Sequence, residues 1–187
     1  FYIHESVHDR FVDGFVERAK AIKLGDGLDP TVGMGPLING GRVKEMDGIV
    51  SAAVKAGAKI AHGGAPSASF NKGFFFEPTV LTDCTDDMKV MAEENFGPIA
   101  AITRFSTDDE ALARANSTDM GLSAYAFTSS PVRARRTVAD EAGVVQAAGD
   151  LVLVARIDQA GHEAGEPVDD RAEDAAERPV RQVGVDG

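Results

Sequence analysis

The chain has 187 residues, of which 43% are hydrophobic, and a formal charge of −11 at neutral pH. That length and apolar content suit one domain or part of a larger one, and the negative charge argues against nucleic acid or anionic membrane surfaces as partners. A single cysteine, Cys84, rules out an internal disulfide and suits a reducing compartment, so a cytoplasmic location is expected.

Phe1 to His4 has the composition of a short strand, and "FYI" reads as mid-strand, so the natural start is expected upstream. Ser6 is the expected cap of a first helix, with Asp9 at capping-box spacing. Val7, Phe11, Phe15, Ala19 and Ile22 recur at helical spacing as its buried stripe. "LGDGLDPTVGMGPLINGG" is a Gly- and Pro-rich structured loop. A second helix is expected from Gly41 to Ala56, burying Val43, Met46, Ile49, Val50 and Ala53, with Gly57 ending it. "AKIAH" reads as a strand. "FFFEPTVL" is β-like, although Pro78 is incompatible with a central ladder position.

One or two helical turns are expected within Asp86–Ala92, then a short apolar strand, "PIAAITRF". Ser106 is the expected cap of the next helix, through Ala111, Leu112 and Ala115. "GLSAYAFT" is another strand. Ser130-Pro131 starts a helix, with proline at its favoured first position. Gly143 is expected to close it, before a strand at "VV". The alternation predicts an α/β fold with a largely parallel sheet and flanking helices over residues 1–155. From Arg156 onward there is no aromatic and no lysine, and nine acidic residues face four arginines. Residues 156–187 read as an acidic, disordered tail.

Generic chemical patterns are sparse. Cys84 stands in "LTDCTDDM", whose acids would raise a thiol pKa. The four histidines and the acids show no metal-ligand spacing. GxxxxGK[ST], GxGxxG and GxSxG are absent. No window approaches the roughly 18 apolar residues of a membrane span, and "FYIHESVHDRF" has neither the basic nor the apolar region of a secretory leader. What remains is "MAEENFGPIA", in which two glutamates precede an aromatic and a Gly-Pro turn.

That stretch carries a resemblance. "FYIHESVHDRFVDGFVERAKAIKLGDGLDPTVGMGPLI", "AGAKIAHGG", "GFFFEPTVLTD", "EENFGPIAAITRF" and "RANSTDMGLSAYAFTSS" follow one another over about residues 1–150. In that order they resemble the C-terminal part of the catalytic domain of NAD(P)-dependent aldehyde dehydrogenases. The Glu-Glu-x-Phe-Gly-Pro signature is the most specific of them, and "FGPIAAITRF" is similar to the succinate-semialdehyde dehydrogenase-like branch. The resemblance implies oxidation of a small aldehyde to a carboxylic acid with NAD or NADP, by a homo-oligomer.

It also implies two cofactor-binding residues. Glu94 would accept hydrogen bonds from the nicotinamide ribose hydroxyls, and Phe96 would pack near the nicotinamide ring. A carboxylate offers two oxygens to a vicinal diol, and an aromatic face orients a planar ring. The family's cysteine nucleophile would lie a few residues before Phe1, and its base and dinucleotide-binding segment further upstream. The isolated chain is therefore expected to be inactive. Beyond residue 155 the family's Pro-Phe-Gly-Gly block and oligomer strand are not matched, as a frameshift would produce. A second reading stays open: a non-catalytic α/β remnant, or a half-domain needing a partner chain.

Overall fold

A computed structural model describes residues 1–117, 124–140 and 152–155. The expected helix end at Gly143, the strand at Val144-Val145, the beginning of the strand at Gly121 and the tail 156–187 lie outside those residues. In chain order the elements are β1 (Tyr2–His4), α1 (His8–Ala21), α2 (Gly40–Lys55), β2 (Lys59–His62), β3 (Thr79–Thr82), α3 (Lys89–Ala92), β4 (Ile99–Ala101), β5 (Thr103–Phe105), α4 (Asp108–Ala115), β6 (Ala124–Phe127), α5 (Pro131–Asp140) and β7 (Val152–Ala155). They make two sheets. One is four-stranded and parallel throughout, in the order β5-β1-β7-β6; the other is three-stranded, in the order β2-β3-β4, with only the β2–β3 pair antiparallel. The fold is thus α/β with a largely parallel arrangement.

Alternation along β3 explains how the small sheet is covered. Successive residues of a strand point to opposite faces. Val80 joins Ile3, Val7, Val16 and Ala19 on the α1 side, while Leu81 joins Met46, Ile49, Val50 and Ala53 on the α2 side. Four of the five residues expected to be buried on α2 form this second cluster, and Val43 packs at its margin. Asn39 caps the helix through its side chain, accepting from the Arg42 amide at 2.9 Å. Beyond the C-cap at Ala56 the chain reverses through Gly57 at φ +114°, a conformation glycine adopts without strain.

Several local expectations are corrected. Ser6 does not cap α1; Val7 occupies that position, and the Ser6 hydroxyl meets His4 Nδ1 at 2.7 Å. The α1 stripe includes Val16, and Ile22, past the helix end, is exposed. Thr107, not Ser106, caps α4, with its Oγ1 accepting from the Glu110 amide at 3.2 Å. The Ser106 amide instead donates to Glu110 Oε2 at 2.9 Å, and its hydroxyl to Glu5 Oε2 at 3.0 Å. Thr79–Thr82 is the central strand of its sheet, and Pro78 stands just outside it, where its missing N–H costs no ladder bond.

The largest correction concerns "PIAAITRF", expected as one strand. It is two, in different sheets. The Ile102 amide donates to the Leu81 carbonyl at 2.8 Å, and the next amide, Thr103, turns to the Phe1 carbonyl at 2.9 Å. One continuous apolar run therefore joins both sheets. Strand β7, which sits between β1 and β6, is an element the sequence patterns did not single out. No helix among the described residues is long and apolar enough to cross a membrane.

Candidate functional site

The residues after α3 form the candidate site. The helix is a single turn, ended by Glu93 in an extended conformation. The Glu93 amide still donates to the Lys89 carbonyl at 3.0 Å, and its carboxylate lies 3.2 Å from Lys89 Nζ. Glu93 thus closes the turn. Glu94 comes next, with its side chain exposed. Asn95 ties the segment back to the helix, its Nδ2 donating to the Val90 carbonyl at 2.9 Å.

Phe96 has φ +42°, in the left-handed region that an aromatic residue seldom occupies. Such a conformation costs on the order of 1–2 kcal/mol and persists only where surrounding structure imposes it. The residue is 71% exposed, so core packing, the ordinary explanation for an aromatic, does not hold it there. Gly97 then passes so close to α2 that a Cβ on it would lie 2.1 Å from Met46 Sδ. The Thr79 amide donates to the Pro98 carbonyl at 2.7 Å, which delivers the chain into β4.

Arg42, in the first turn of α2, supplies the restraint. Its Nε donates to the Phe96 carbonyl at 3.2 Å and its Nη2 to the Asn95 carbonyl. Its guanidinium carbon lies 5.6 Å from the centre of the Phe96 ring, within cation–π reach. The remaining nitrogen pairs with Glu45 at 2.6 Å. Hydrogen bonds from a charged donor contribute about 1.5–3 kcal/mol each, so two of them outweigh the backbone strain at Phe96. Sequence patterns did not single out Arg42. The carbonyls it reaches are 53 and 54 positions away, and no local signal encodes that distance.

The other reactive groups have structural partners. Cys84 is 2% exposed, and burial pushes its thiol pKa up. A buried neutral thiol is a poor nucleophile. His4 is locked by the Ser6 hydroxyl and the Ser106 carbonyl, 3.0 Å from its Nε2. Arg114 grips Asp86 with two nitrogens, at 2.6 and 2.9 Å, and covers the Tyr2 ring at 4.8 Å. It holds the Asp86 carboxyl below its ordinary value. Burial and the Asp86 charge push the Tyr2 phenol up to about 12. These groups join β1, the turn before α3 and α4. Among the described residues, no group of three or more His, Cys, Asp or Glu could hold a metal ion.

Glu94 and Phe96 therefore share one exposed segment, fixed from behind by α2. A carboxylate there can accept from two neighbouring hydroxyls, and the free ring face can receive a flat heteroaromatic group. Asn116 is the C-cap of α4.

The chain also resembles known proteins over most of its length. The model of the aldehyde dehydrogenase family matches residues 1–157. A betaine aldehyde dehydrogenase of Brucella anthropi is 41% identical over 139 residues, covering 73% of this chain and 28% of that protein. Succinate-semialdehyde dehydrogenase [NADP(+)] 2 of Schizosaccharomyces pombe is 45% identical over 127 residues, covering 68% and 26%. A crystal structure of betaine aldehyde dehydrogenase from Staphylococcus aureus in complex with NAD+ superposes with a TM-score of 0.71 at 33% identity, covering 82% of this chain and 30% of that one. The chain thus spans little more than a quarter of the length of the two curated relatives.

Proposed function

Because this chain belongs to the aldehyde dehydrogenase family, we propose that it carries the nicotinamide-ribose contact of an NAD(P)-dependent enzyme that oxidises an aldehyde to a carboxylic acid. Residues 1–155 are assigned to a partial catalytic domain, and residues 156–187 to an acidic tail that diverges in sequence from the family. The observation that carries the reading is Phe96: an exposed aromatic, on a left-handed residue, two positions after an exposed carboxylate. Arg42 stands over the Phe96 ring, yet the residue remains 71% exposed. It suits a ligand with a planar ring.

The donor set fits a nicotinamide nucleoside. The cofactor, when bound, supplies the hydride acceptor. Glu94 accepts hydrogen bonds from the ribose hydroxyls and so fixes the sugar. Phe96 presents its free face to the ring and excludes water from that side. Glu93, paired with Lys89, takes no part. Cys84 does not serve as nucleophile, and the 187 residues alone do not oxidise aldehydes. For the substrate, the relatives' names offer an anionic aldehyde, succinate semialdehyde, and a cationic one, betaine aldehyde. We take the first, supported by the higher identity, 45% against 41%.

Titration of the isotopically labelled chain with nicotinamide mononucleotide, followed through its backbone amides, tests the contact. Shifts confined to residues 93–97 and the adjoining turn of α2 are expected. A titration that leaves this segment unperturbed would overturn the reading.

A further inference from the structure

We propose that Arg42 is a positioning residue for the nicotinamide nucleoside, setting where the Glu94 carboxylate and the Phe96 ring stand. The inference rests on the reading of Glu94 and Phe96 just given, and adds what holds them. Arg42 and Met46 are one helical turn apart and share a face of α2. Between them they engage two consecutive residues: Arg42 binds the Phe96 carbonyl, and Met46, fully buried, lies against Gly97. The Asn39 cap and the packed Met46, Ile49 and Val50 anchor the helix itself. The segment is thereby referred to a rigid element rather than to its own one-turn helix.

Three features separate this from a surface ion pair. A cation in the first turn of a helix runs against the macrodipole, so Arg42 is not there for α2's benefit. Its side chain is only 18% exposed, against 50% for Glu45, and two of its nitrogens serve carbonyls rather than that carboxylate. The guanidinium also needs its planar shape, because it spans Asn95 and Phe96 while facing the ring. A lysine ammonium is a point charge on a flexible stem and cannot hold both carbonyls in one geometry.

The test compares Arg42→Ala, Arg42→Lys and Glu94→Gln with the parent chain, by nicotinamide mononucleotide titration, amide hydrogen exchange and urea unfolding. Both arginine variants should weaken nucleotide binding fivefold or more. Exchange at Asn95–Gly97 should rise about tenfold, with amides after the first turn of α2 unchanged. Restoration of parent affinity by Arg42→Lys would mean that charge alone matters, and would overturn the positioning role. So would parent-like affinity in Arg42→Ala, or exchange rising throughout α2 with a matching loss of stability. If Glu94→Gln weakens binding and the arginine variants do not, only the inference about Arg42 fails. If Glu94→Gln binds like the parent, the reading of the ribose contact fails first and the inference with it.

Discussion

Met46 and Gly97 touch across the junction of α2 and the segment entering β4, so closely that the sulfur occupies the space a Cβ at Gly97 would take, 2.1 Å away. Met46 is fully buried and cannot swing into solvent. Gly97→Ala should therefore push the segment off the helix. Overpacking of a closed core costs about 1–3 kcal/mol. Urea unfolding should show a loss of that size, and the Phe96 resonances should broaden or shift. Parent-like stability would mean the core yields more easily than its packing implies.

The N-terminus of α2 depends on Asn39. Asn39→Ala removes the acceptor of the Arg42 amide and should cost about 0.5–2 kcal/mol, while Asn39→Asp should retain most of the cap. The amide exchange of Arg42 would rise in the alanine variant only.

The Tyr2, Asp86 and Arg114 cluster makes stability depend on pH at both extremes. Arg114 holds the Asp86 carboxyl below its ordinary 3.8. A carboxyl whose folded pKa is lowered contributes stability above the unfolded value and loses it as pH falls through the folded one. Urea midpoints should therefore drop below about pH 4, and Asp86→Asn should flatten that limb. The Tyr2 phenol shifts the other way, from 10 to about 12. Its contribution is complete below pH 10 and is lost as pH rises toward 12. Absorbance titration should find Tyr2 ionising near 12, about two units above an ordinary tyrosine. Ionisation near 10 would show that Tyr2 is not held as its burial and its contact with Asp86 require.

Burial makes a definite statement about Cys84. A thiol 2% exposed and raised in pKa should react with a disulfide reagent only after unfolding. Its native-state labelling should be at least a hundredfold slower than in urea. Aldehyde oxidation by this chain that Cys84→Ala abolished would contradict its assignment as a core residue.

The extent to which the sequence declares this architecture follows from the range of each interaction. Helix α2 was legible because Met46, Ile49, Val50 and Ala53 repeat every turn, and Gly57 marks its end. The caps fall one position past Ser6 and Ser106, because each serine hydroxyl bonds a partner outside its helix, His4 or Glu5. The break between β4 and β5 is invisible in "AAITRF": it depends on Leu81 and Phe1 carbonyls, remote in sequence, that capture successive amides. Glu94 and Phe96 emerged from a motif, not from composition. The positive φ of Phe96 and its attachment to Arg42 are tertiary facts that no spacing predicts.

The central claim, that Glu94 holds the nicotinamide ribose, is tested most directly by comparing Glu94→Gln with Glu93→Gln in the nucleotide titration. Loss of a charge-assisted hydrogen bond worth about 1.5–3 kcal/mol corresponds to roughly ten- to a hundredfold in affinity. Glu94→Gln should bind nicotinamide mononucleotide that much more weakly. Glu93→Gln, which removes only the exposed Lys89 pair, should bind within twofold of the parent. Equal, small effects from both substitutions would contradict the account and leave Glu94, like Glu93, with no part in holding the nucleotide.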